Sequence, residues 1–465
     1  MTIWSPHLDK RRGPRYLAIA DAIADDVASG QLKPGSRLPT HRDLADRLGV
    51  TVGTVSRGYV EAARRGLLSG EVGRGTFVRY RGTEVTPPAR GDLGRPKAVD
   101  LSQNLPPPAM DEPHLRSLQD TLRSLANRAD LAALLDYPAE AGNAPDREAG
   151  AAWIARTGLP ARPEQVLVCG GGQHGLTTVL ATLLKPGDLV LTEALTFPGL
   201  KAAANLLHLR LQGLALDDHG LRADAFAAAC QSTGAKALYC VPTIQNPTGA
   251  VMPAERRREI ASIAEAHRVA IVEDDLHALL PRERPLPLAA LAPEISYYVT
   301  SMSKTLAPGL RIGYVLAPSA MVGRLAVNLR ATTWASAPLM AAICSAWIRE
   351  GTADTILESR RREAAARQAL ARAILGGSEY RAHPYAYHLW LSLPEPWRSD
   401  SFVAQARIRG VAVTPAEAFV VGRSSVPHAV RLCLGAARDR AELEKGLRLV
   451  VATLEGSPDA GSPIV

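Results

Sequence analysis

The chain has 465 residues, of which 46% are hydrophobic and 22% charged, and its formal net charge is +8. This composition is typical of a globular protein rather than a disordered one, and the length predicts about three folded units. The charge is uneven, because residues 1–84 hold 14 Lys and Arg against 9 Asp and Glu. Such asymmetry is compatible with a polyanion-binding end, although a solvated charged face would give the same balance.

The cysteines and the N-terminus indicate the cellular compartment. The N-terminal residues contain no apolar core of a signal peptide, and no run of 18 apolar residues predicts a membrane span. The five cysteines are scattered without the spacing of metal ligands: Cys169, Cys230, Cys240, Cys344 and Cys433. We therefore expect a cytoplasmic protein with reduced thiols, no bound metal and no membrane partner.

The pattern of residues predicts five segments along the chain. Residues 13–80 have helical periodicity ending in a short hairpin, and residues 81–100 have the Pro, Gly and alternating charges of a linker. Residues 101–325 alternate apolar runs with helical segments, which predicts a mainly parallel sheet. The runs predicted as strands are Val166–Cys169, Leu189–Thr192, Leu238–Val241, Val269–Val272, Tyr297–Thr300 and Ile312–Leu316. Residues 326–455 predict a smaller α+β domain, and residues 456–465 a disordered tail.

The first segment has the spacing of a helix-turn-helix. Thr40 is a good N-cap with Asp43 three residues on, and Gly49 turns the chain into a further helix from Thr51 to Arg65. This second helix would read base edges in the major groove, and the hairpin would form a wing. The candidate DNA contacts are Arg42, Thr51, Thr54, Ser56, Arg57 and the wing residue Arg74. A plain three-helix interaction module would show the same helices.

Residues 13–79 resemble a GntR-type winged helix. The resemblance depends on three motifs in order, LP-x-x-R-x-LA, LGV-x-x-x-TV and G-x-GT-x-V. It implies double-stranded DNA as a partner. One position departs from the family pattern, since Val52 stands where a base-reading Arg often follows the first Thr of the recognition helix.

Four motifs in the longer segment carry polar groups that could bind a ligand. A glycine run opens a helix at Gly172, and Asn246 precedes Pro247 in QNPTG. Asp274 ends an apolar run, and Lys304 follows another. Taken singly, each motif has a structural interpretation: a turn, an Asn-Pro turn, a helix cap or metal ligand, and a solvated loop.

In this order, the motifs resemble a fold-type-I aminotransferase that uses pyridoxal 5'-phosphate (PLP). The resemblance implies that Lys304 forms the internal aldimine, Asp274 pairs with the pyridine nitrogen and Asn246 donates to the phenolic oxygen. It implies that Arg431 clamps a substrate carboxylate. It also implies that the remaining cofactor contacts are Gly172, Gln173, Ser301, Ser303 and Arg311 at the phosphate, Phe197 on the ring, and Tyr137 at the phosphate bound by a partner subunit.

Two positions depart from this family's usual pattern. Leu276 and His277 stand where many relatives carry a Tyr after the ring-nitrogen Asp, and Asn143 stands where a Tyr is frequent. His277 could replace the missing phenol as a cofactor contact, or that contact could be absent.

The fusion of both units resembles the MocR subfamily of GntR-type regulators. It implies a head-to-tail homodimer that senses an amine or amino acid at Lys304 and regulates transcription. Two alternatives remain open: an active aminotransferase with a regulatory appendage, and a DNA-binding protein whose PLP domain is inert.

Overall fold

The structure is a computed structural model that describes residues 4–6, 14–29, 31–32, 36–64, 67–71, 75–78, 98–108, 112–422 and 426–457. The chain divides into two compact units, within residues 1–95 and 96–465. The predicted wing residue Arg74, most of the predicted linker and all but two residues of the predicted tail lie outside the described residues.

The first unit is a small helical domain followed by a hairpin. Its elements are α1 (Arg15–Ala28), α2 (His41–Leu48), α3 (Val52–Arg64), β1 (Leu68–Glu71) and β2 (Gly75–Val78). Strands β1 and β2 pair antiparallel. The predicted winged helix-turn-helix is therefore confirmed.

Local capping and a shared core fix the arrangement of these helices. Thr40 accepts a hydrogen bond from the Asp43 amide at 3.2 Å, which caps α2, and Gly49 closes α2 at a φ of +61°. Apolar side chains from all three helices and the hairpin are buried together, among them Ile19, Ile23, Leu44, Val55, Tyr59, Leu68 and Val78.

The second unit alternates strands with helices over most of its length. Its elements in chain order are β3 (Val99–Asp100), α4 (Glu112–Ala126), α5 (Ala144–Ala155), β4 (Val166–Cys169), α6 (Gly172–Leu183), β5 (Leu189–Glu193), α7 (Pro198–Leu206), β6 (Arg210–Leu214), β7 (Leu216–Asp217), β8 (Gly220–Leu221), α8 (Ala223–Ser232), β9 (Ala237–Cys240), α9 (Ala254–His267), β10 (Ala270–Asp274), α10 (Leu288–Leu291), β11 (Ser296–Ser301), α11 (Met302–Thr305), β12 (Gly313–Leu316), α12 (Val322–Thr333), α13 (Pro338–Arg349), α14 (Thr352–Leu375), β13 (Tyr380–Arg381), β14 (His388–Ser392), α15 (Ser399–Ile408), β15 (Val411–Ala412), β16 (Thr414–Pro415), β17 (Ala429–Cys433) and α16 (Arg440–Leu454).

Within the described residues, a seven-stranded sheet of order β4-β12-β11-β10-β9-β5-β6 forms the centre of the second unit. All neighbouring strands pair parallel except β12, which runs antiparallel to both β4 and β11. The fold class is confirmed, since a mainly parallel sheet with helices between its strands is present. The sequence analysis does not predict β6, whose half-buried residues lack a continuous apolar run.

A second, antiparallel sheet of order β13-β14-β17-β16 forms the smaller α+β part. Strand β3, near the start of the unit, pairs parallel with β15, so Val99 and Leu101 pack into the core of this smaller part. The chain thus leaves this core soon after residue 101 and returns to it at Ala371.

Helix α14 contributes to both cores of the second unit. Ile356 and Leu357 pack with side chains of the large sheet, whereas Ala371 and Leu375 pack in the core of the small sheet. Helix α13, which follows the predicted domain boundary at residue 325, also packs in the large core through Ala341, Ala342, Ile343, Cys344, Trp347 and Ile348. In the part of the chain that the structure describes, no helix has both the length and the apolar composition to cross a membrane.

Candidate functional site

Three predicted site residues lie where neighbouring strands of the large sheet end. Asp274 is the last residue of β10, Asn246 follows β9, and Lys304 lies in the short helix after β11. Strands β9, β10 and β11 are adjacent and parallel. Their carboxyl ends therefore share one edge of the sheet, which is where open α/β sheets bind ligands.

Lys304 lies in a polar but largely dehydrated environment. Its Nζ donates a hydrogen bond to the Asn104 carbonyl, and its own carbonyl accepts one from the Tyr387 hydroxyl at 2.7 Å. Burial lowers the pKa of Lys304 to about 8, and the positive charge of Arg431 acts in the same direction. A lysine with this pKa has a larger unprotonated fraction near neutral pH than an ordinary lysine, and the unprotonated amine is the form that attacks an aldehyde.

Asp274 is buried and has one strong hydrogen-bond donor. The Tyr239 hydroxyl donates to its Oδ2 at 2.6 Å. Burial, assisted by the nearby charge of Asp275, raises the pKa of Asp274 to about 7, and the Tyr239 bond and the charge of Lys304 oppose this rise. A cation beside this carboxylate would favour its ionised form.

Arg431 and Asn246 are held together by a direct hydrogen bond. Arg431 donates through Nη1 to Asn246 Oδ1 at 2.8 Å and through Nη2 to the Ser102 carbonyl at 2.7 Å. Its guanidinium lies over the Phe419 ring, 4.7 Å from the centroid. The buried Nε has no hydrogen-bond partner among the described residues, so one N–H donor of this guanidinium is unused.

The glycine run forms a turn whose shape requires the absence of side chains. Gly171 has a φ of +93°, and a Cβ at this position would lie 2.7 Å from Arg311 Nη2. Helix α6 begins at the next residue, Gly172, and Arg311 donates to the Gly170 carbonyl at 3.3 Å. Free amides at a helix N-terminus beside an arginine suit a phosphate group.

The remaining predicted contacts lie on two neighbouring turns. Ser301 donates to the Ser303 hydroxyl at 2.9 Å and caps α11 by accepting from the Ser303 amide at 3.0 Å. Gln173 donates to the Gly199 carbonyl at 2.9 Å. A Cβ on Gly199 would overlap both Gln173 and Phe197, so those two side chains lie next to each other, as two contacts to one cofactor would.

His277 is a buried ring beside the lysine. Only 4% of its surface is exposed, and its Nε2 has no hydrogen-bond partner among the described residues. Its centroid lies 6.4 Å from that of Tyr387 and 6.1 Å from that of His388. Burial, and then the charge of Lys304, hold the pKa of His277 well below its usual value, so this ring is neutral at physiological pH.

Tyr137 is not part of this buried cluster. Its side chain is 81% exposed and packs on Trp334, with the ring centroids 4.9 Å apart. Trp334 in turn carries the Arg330 guanidinium at 4.1 Å. Such exposure is required of a side chain that is predicted to contact the phosphate bound by a partner subunit.

The predicted DNA contacts divide into exposed residues and residues with partners in the first unit. Arg42 is exposed on the first turn of α2, and the Thr51 and Thr54 hydroxyls lie 2.9 Å apart at the start of α3. Thr51 also accepts from the Thr54 amide at 3.2 Å, which caps α3.

Two further residues of the recognition helix contact neighbouring helices. Ser56 Oγ lies 2.9 Å from His41 Nδ1, which links α3 to the start of α2. The Arg57 guanidinium stacks on the Tyr16 ring of α1 at 4.3 Å. Ser56 and Arg57 thus have contacts within the first unit, and their roles in DNA binding stay predictions.

The sequence analysis misses several residues that complete the site. They are Tyr239, Tyr387, His388, Thr414 and the segment from Ser102 to Asn104. Strand register could have revealed Tyr239, because it pairs with Val272, two residues before Asp274 on the same face of the sheet. The others come from the small sheet and the entry segment, whose approach to Lys304 has no local sequence signal.

Comparison with known proteins gives separate family matches for the first and the second unit. Residues 15–78 match the family described as bacterial regulatory proteins, gntR family, and residues 96–450 match aminotransferase class I and II. The chain is 32% identical over 462 residues to the uncharacterized HTH-type transcriptional regulator YdeF of Bacillus subtilis, and the match covers 97% of both chains. The chain belongs to the MocR subfamily of GntR-type transcription regulators.

Other MocR-like and aminotransferase proteins match over shorter stretches. The pyridoxine biosynthesis transcriptional regulator PdxR of Corynebacterium glutamicum is 30% identical over 313 residues, 65% of each chain. The α-aminoadipate aminotransferase LysN of Thermus thermophilus superposes with a TM-score of 0.70 at 25% identity, covering 77% of this chain and 92% of LysN. That structure is a complex with N-(5'-phosphopyridoxyl)-L-leucine.

The expected cofactor of this MocR-subfamily chain, PLP, is confirmed by the family match. The residues at the edge of the sheet fit such a group. A glycine turn that a Cβ would fill lies beside Arg311, and the buried Asp274 and a partly unprotonated Lys304 lie at the neighbouring strand ends.

Proposed function

We propose that this chain is a PLP-dependent transcription regulator that senses an amine or amino acid. The observation that carries the proposal is the cluster of Lys304, Asp274, Asn246 and Arg431 in a chain with a GntR-type head. A cytoplasmic regulator needs both a DNA-reading element and a ligand site, and one chain here supplies the residues for each.

The proposed roles follow from the chemistry of each side chain. PLP supplies an aldehyde, a protonated ring nitrogen and a phosphate. Lys304 anchors the aldehyde, Asp274 pairs with the ring nitrogen, and Asn246 donates its amide hydrogen to the phenolic oxygen. His277 would offer a neutral ring to the same oxygen, in place of the phenol that many relatives carry. The phosphate contacts are Gly172, Gln173, Ser301, Ser303 and Arg311, with Phe197 against the ring and Tyr137 reaching the phosphate held by a partner subunit.

The proposed signal is an exchange of amines. Lys304 would hold the cofactor through its aldehyde carbon and would be released as a free amine when an effector amine took its place, while Arg431 would bind an acidic group of the effector. The effector shifts an equilibrium between arrangements of a head-to-tail homodimer, and it can do so only by binding them with different affinity. The heads would then contact DNA through Arg42, Thr51, Thr54, Ser56, Arg57 and Arg74.

The test uses the full chain loaded with PLP. A panel of amino acids and amines is added while the absorbance of the bound cofactor is followed, and binding to a duplex selected from a random library is measured with each hit. We expect a hit that changes both readouts in the wild type and neither in Lys304→Ala. Lys445→Ala, which alters an exposed lysine of α16, should respond like the wild type.

Two outcomes would contradict the proposal. A Lys304→Ala variant that responds normally to the hit would exclude the amine exchange. Sustained release of a keto acid with every amino acid that binds, without any change in DNA binding, would instead identify an aminotransferase. The intact set of Asp274, Lys304 and Arg431 makes that second activity chemically feasible.

A further inference from the structure

A short segment at the start of the second unit covers the candidate site. We name residues 101–107 the strap. Its Ser102 carbonyl accepts hydrogen bonds from Arg431 Nη2 at 2.7 Å and from Thr414 Oγ1 at 2.8 Å. Its Asn104 carbonyl accepts from Lys304 Nζ. Backbone carbonyls of the strap therefore engage both Lys304, which is proposed to anchor the cofactor, and Arg431, which is proposed to bind the effector.

Side-chain and steric contacts hold the strap in this position. His388 Nε2 lies 3.1 Å from the Gln245 carbonyl, which can only accept, so His388 Nδ1 is the acceptor for Asn104 Nδ2 at 3.4 Å. The Pro107 carbonyl accepts from Arg360. A Cβ on Gly435 would overlap the Leu105 carbonyl, so only glycine lets the strap lie this close to the end of β17.

The hydrogen bonds of Arg431 bring the strap into competition with an acidic ligand. A guanidinium can bind a carboxylate in bidentate fashion through Nε and Nη2 or through Nη1 and Nη2, and both edges use Nη2. Nη2 donates to the Ser102 carbonyl at 2.7 Å and to the Thr414 hydroxyl at 3.5 Å. Because Thr414 also holds the Ser102 carbonyl, displacing either acceptor loosens the strap.

We propose that the strap is an internal occupant of the effector site, and that a carboxylate on Arg431 displaces it. The inference rests on the proposed function for the role of Arg431. It adds how binding of an effector is transmitted from the pocket to the rest of the chain. The strap continues, through β3 and the residues before it, into the covalent connection to the DNA-binding unit. Release of the strap is therefore the first structural change that a carboxylate-bearing effector imposes on that connection.

The strap can be tested without the unidentified effector. Hydrogen–deuterium exchange of the amides of residues 101–105 is measured in the full PLP-loaded chain with acetate, and with acetamide as the neutral control. We expect slow exchange without acetate, and acceleration of about fivefold or more with saturating acetate. Arg431→Gln should remove the acetate response, because it removes the bidentate cation.

A strap-releasing variant supplies the second arm. Gly435→Ala should accelerate exchange in residues 101–105 without acetate and change the affinity for the selected duplex by about fivefold or more. Gly234→Ala is the matched control, since its Cβ meets nothing within 4 Å, and it should behave like the wild type. Retained cofactor absorbance in both variants verifies that the site is folded.

Several results would overturn the inference. Strap amides that already exchange fast, or that ignore acetate while an amino acid changes the cofactor absorbance, would leave the strap a passive cover and the proposed function intact. A Gly435→Ala chain that exchanges fast but binds DNA like the wild type would exclude the link to the head. A chain in which acetate releases the strap but no amine alters the cofactor would contradict only the proposed function.

Discussion

The hydrogen bond from Tyr239 to Asp274 offers a sharp test of the cofactor site. Tyr239→Phe removes a donor at 2.6 Å from a buried carboxylate and leaves the ring in place. A hydrogen bond to a charged group contributes about 1.5–3 kcal/mol. Since the ionised carboxylate is the form that pairs with the PLP ring nitrogen, we expect PLP affinity to fall about 10- to 100-fold.

The pH dependence distinguishes this effect from a general loss of packing. The Tyr239 bond lowers the pKa of Asp274, which is about 7, so its removal raises that pKa further. The loss of affinity should therefore be largest at and below pH 7 and shrink as pH rises above 7, where the variant carboxyl also ionises. Equilibrium titration with PLP across pH measures this.

A second buried tyrosine provides the control. Tyr297→Phe alters a residue of the same hydrophobic core, on strand β11, and should leave PLP affinity unchanged. If Tyr239→Phe binds PLP like the wild type at every pH, or loses the same affinity at all pH values, the assigned role of the Tyr239–Asp274 pair is wrong.

Three further predictions concern buried charge, the glycine turn and the head. Burial raises the pKa of Glu193 from 4.5 to about 8, so the stability that this group contributes is present below pH 4.5 and is lost as pH rises through 8. Glu193→Gln should therefore make the melting temperature less dependent on pH over that range. Melting temperatures of the wild type and the variant that change in parallel with pH would contradict this. Gly171→Ala should weaken PLP binding more than Gly187→Ala, since both glycines have positive φ but only the first Cβ meets Arg311; equal losses in titrations would point to backbone strain alone. Arg42→Ala should weaken DNA binding and reduce the salt slope by about one, and an unchanged slope would show that this side chain faces away from phosphate.

Much of the fold follows from local patterns. Strand β4 is predicted residue for residue, because four consecutive apolar residues end at a glycine run, and the Thr40 cap and Gly49 turn are likewise local signals. Strand β6 is missed because its alternation is weak and it lies at the edge of the sheet. The antiparallel direction of β12 depends on pairing with distant strands, which no local pattern records.

The candidate site is predictable only where its residues sit in motifs. Asp274, Asn246 and Lys304 follow apolar runs, so the rule that ligands bind at strand ends brings them together. Ser102 and Asn104 reach the same place through contacts with residues about 200 to 330 positions away. Their backbone carbonyls make the contacts, and every residue type has a carbonyl, so the sequence carries no signal there.

Helix α14 has a mechanical consequence for the second unit. It is 24 residues long, or about 36 Å, and its two ends are embedded in different hydrophobic cores. A rigid rod shared in this way prevents either core from rotating freely on its own. Any tilt of the small sheet must therefore either bend α14 near its middle or move the end of α14 that packs in the core of the large sheet. A small displacement at one end of the helix thus produces a displacement at the other end.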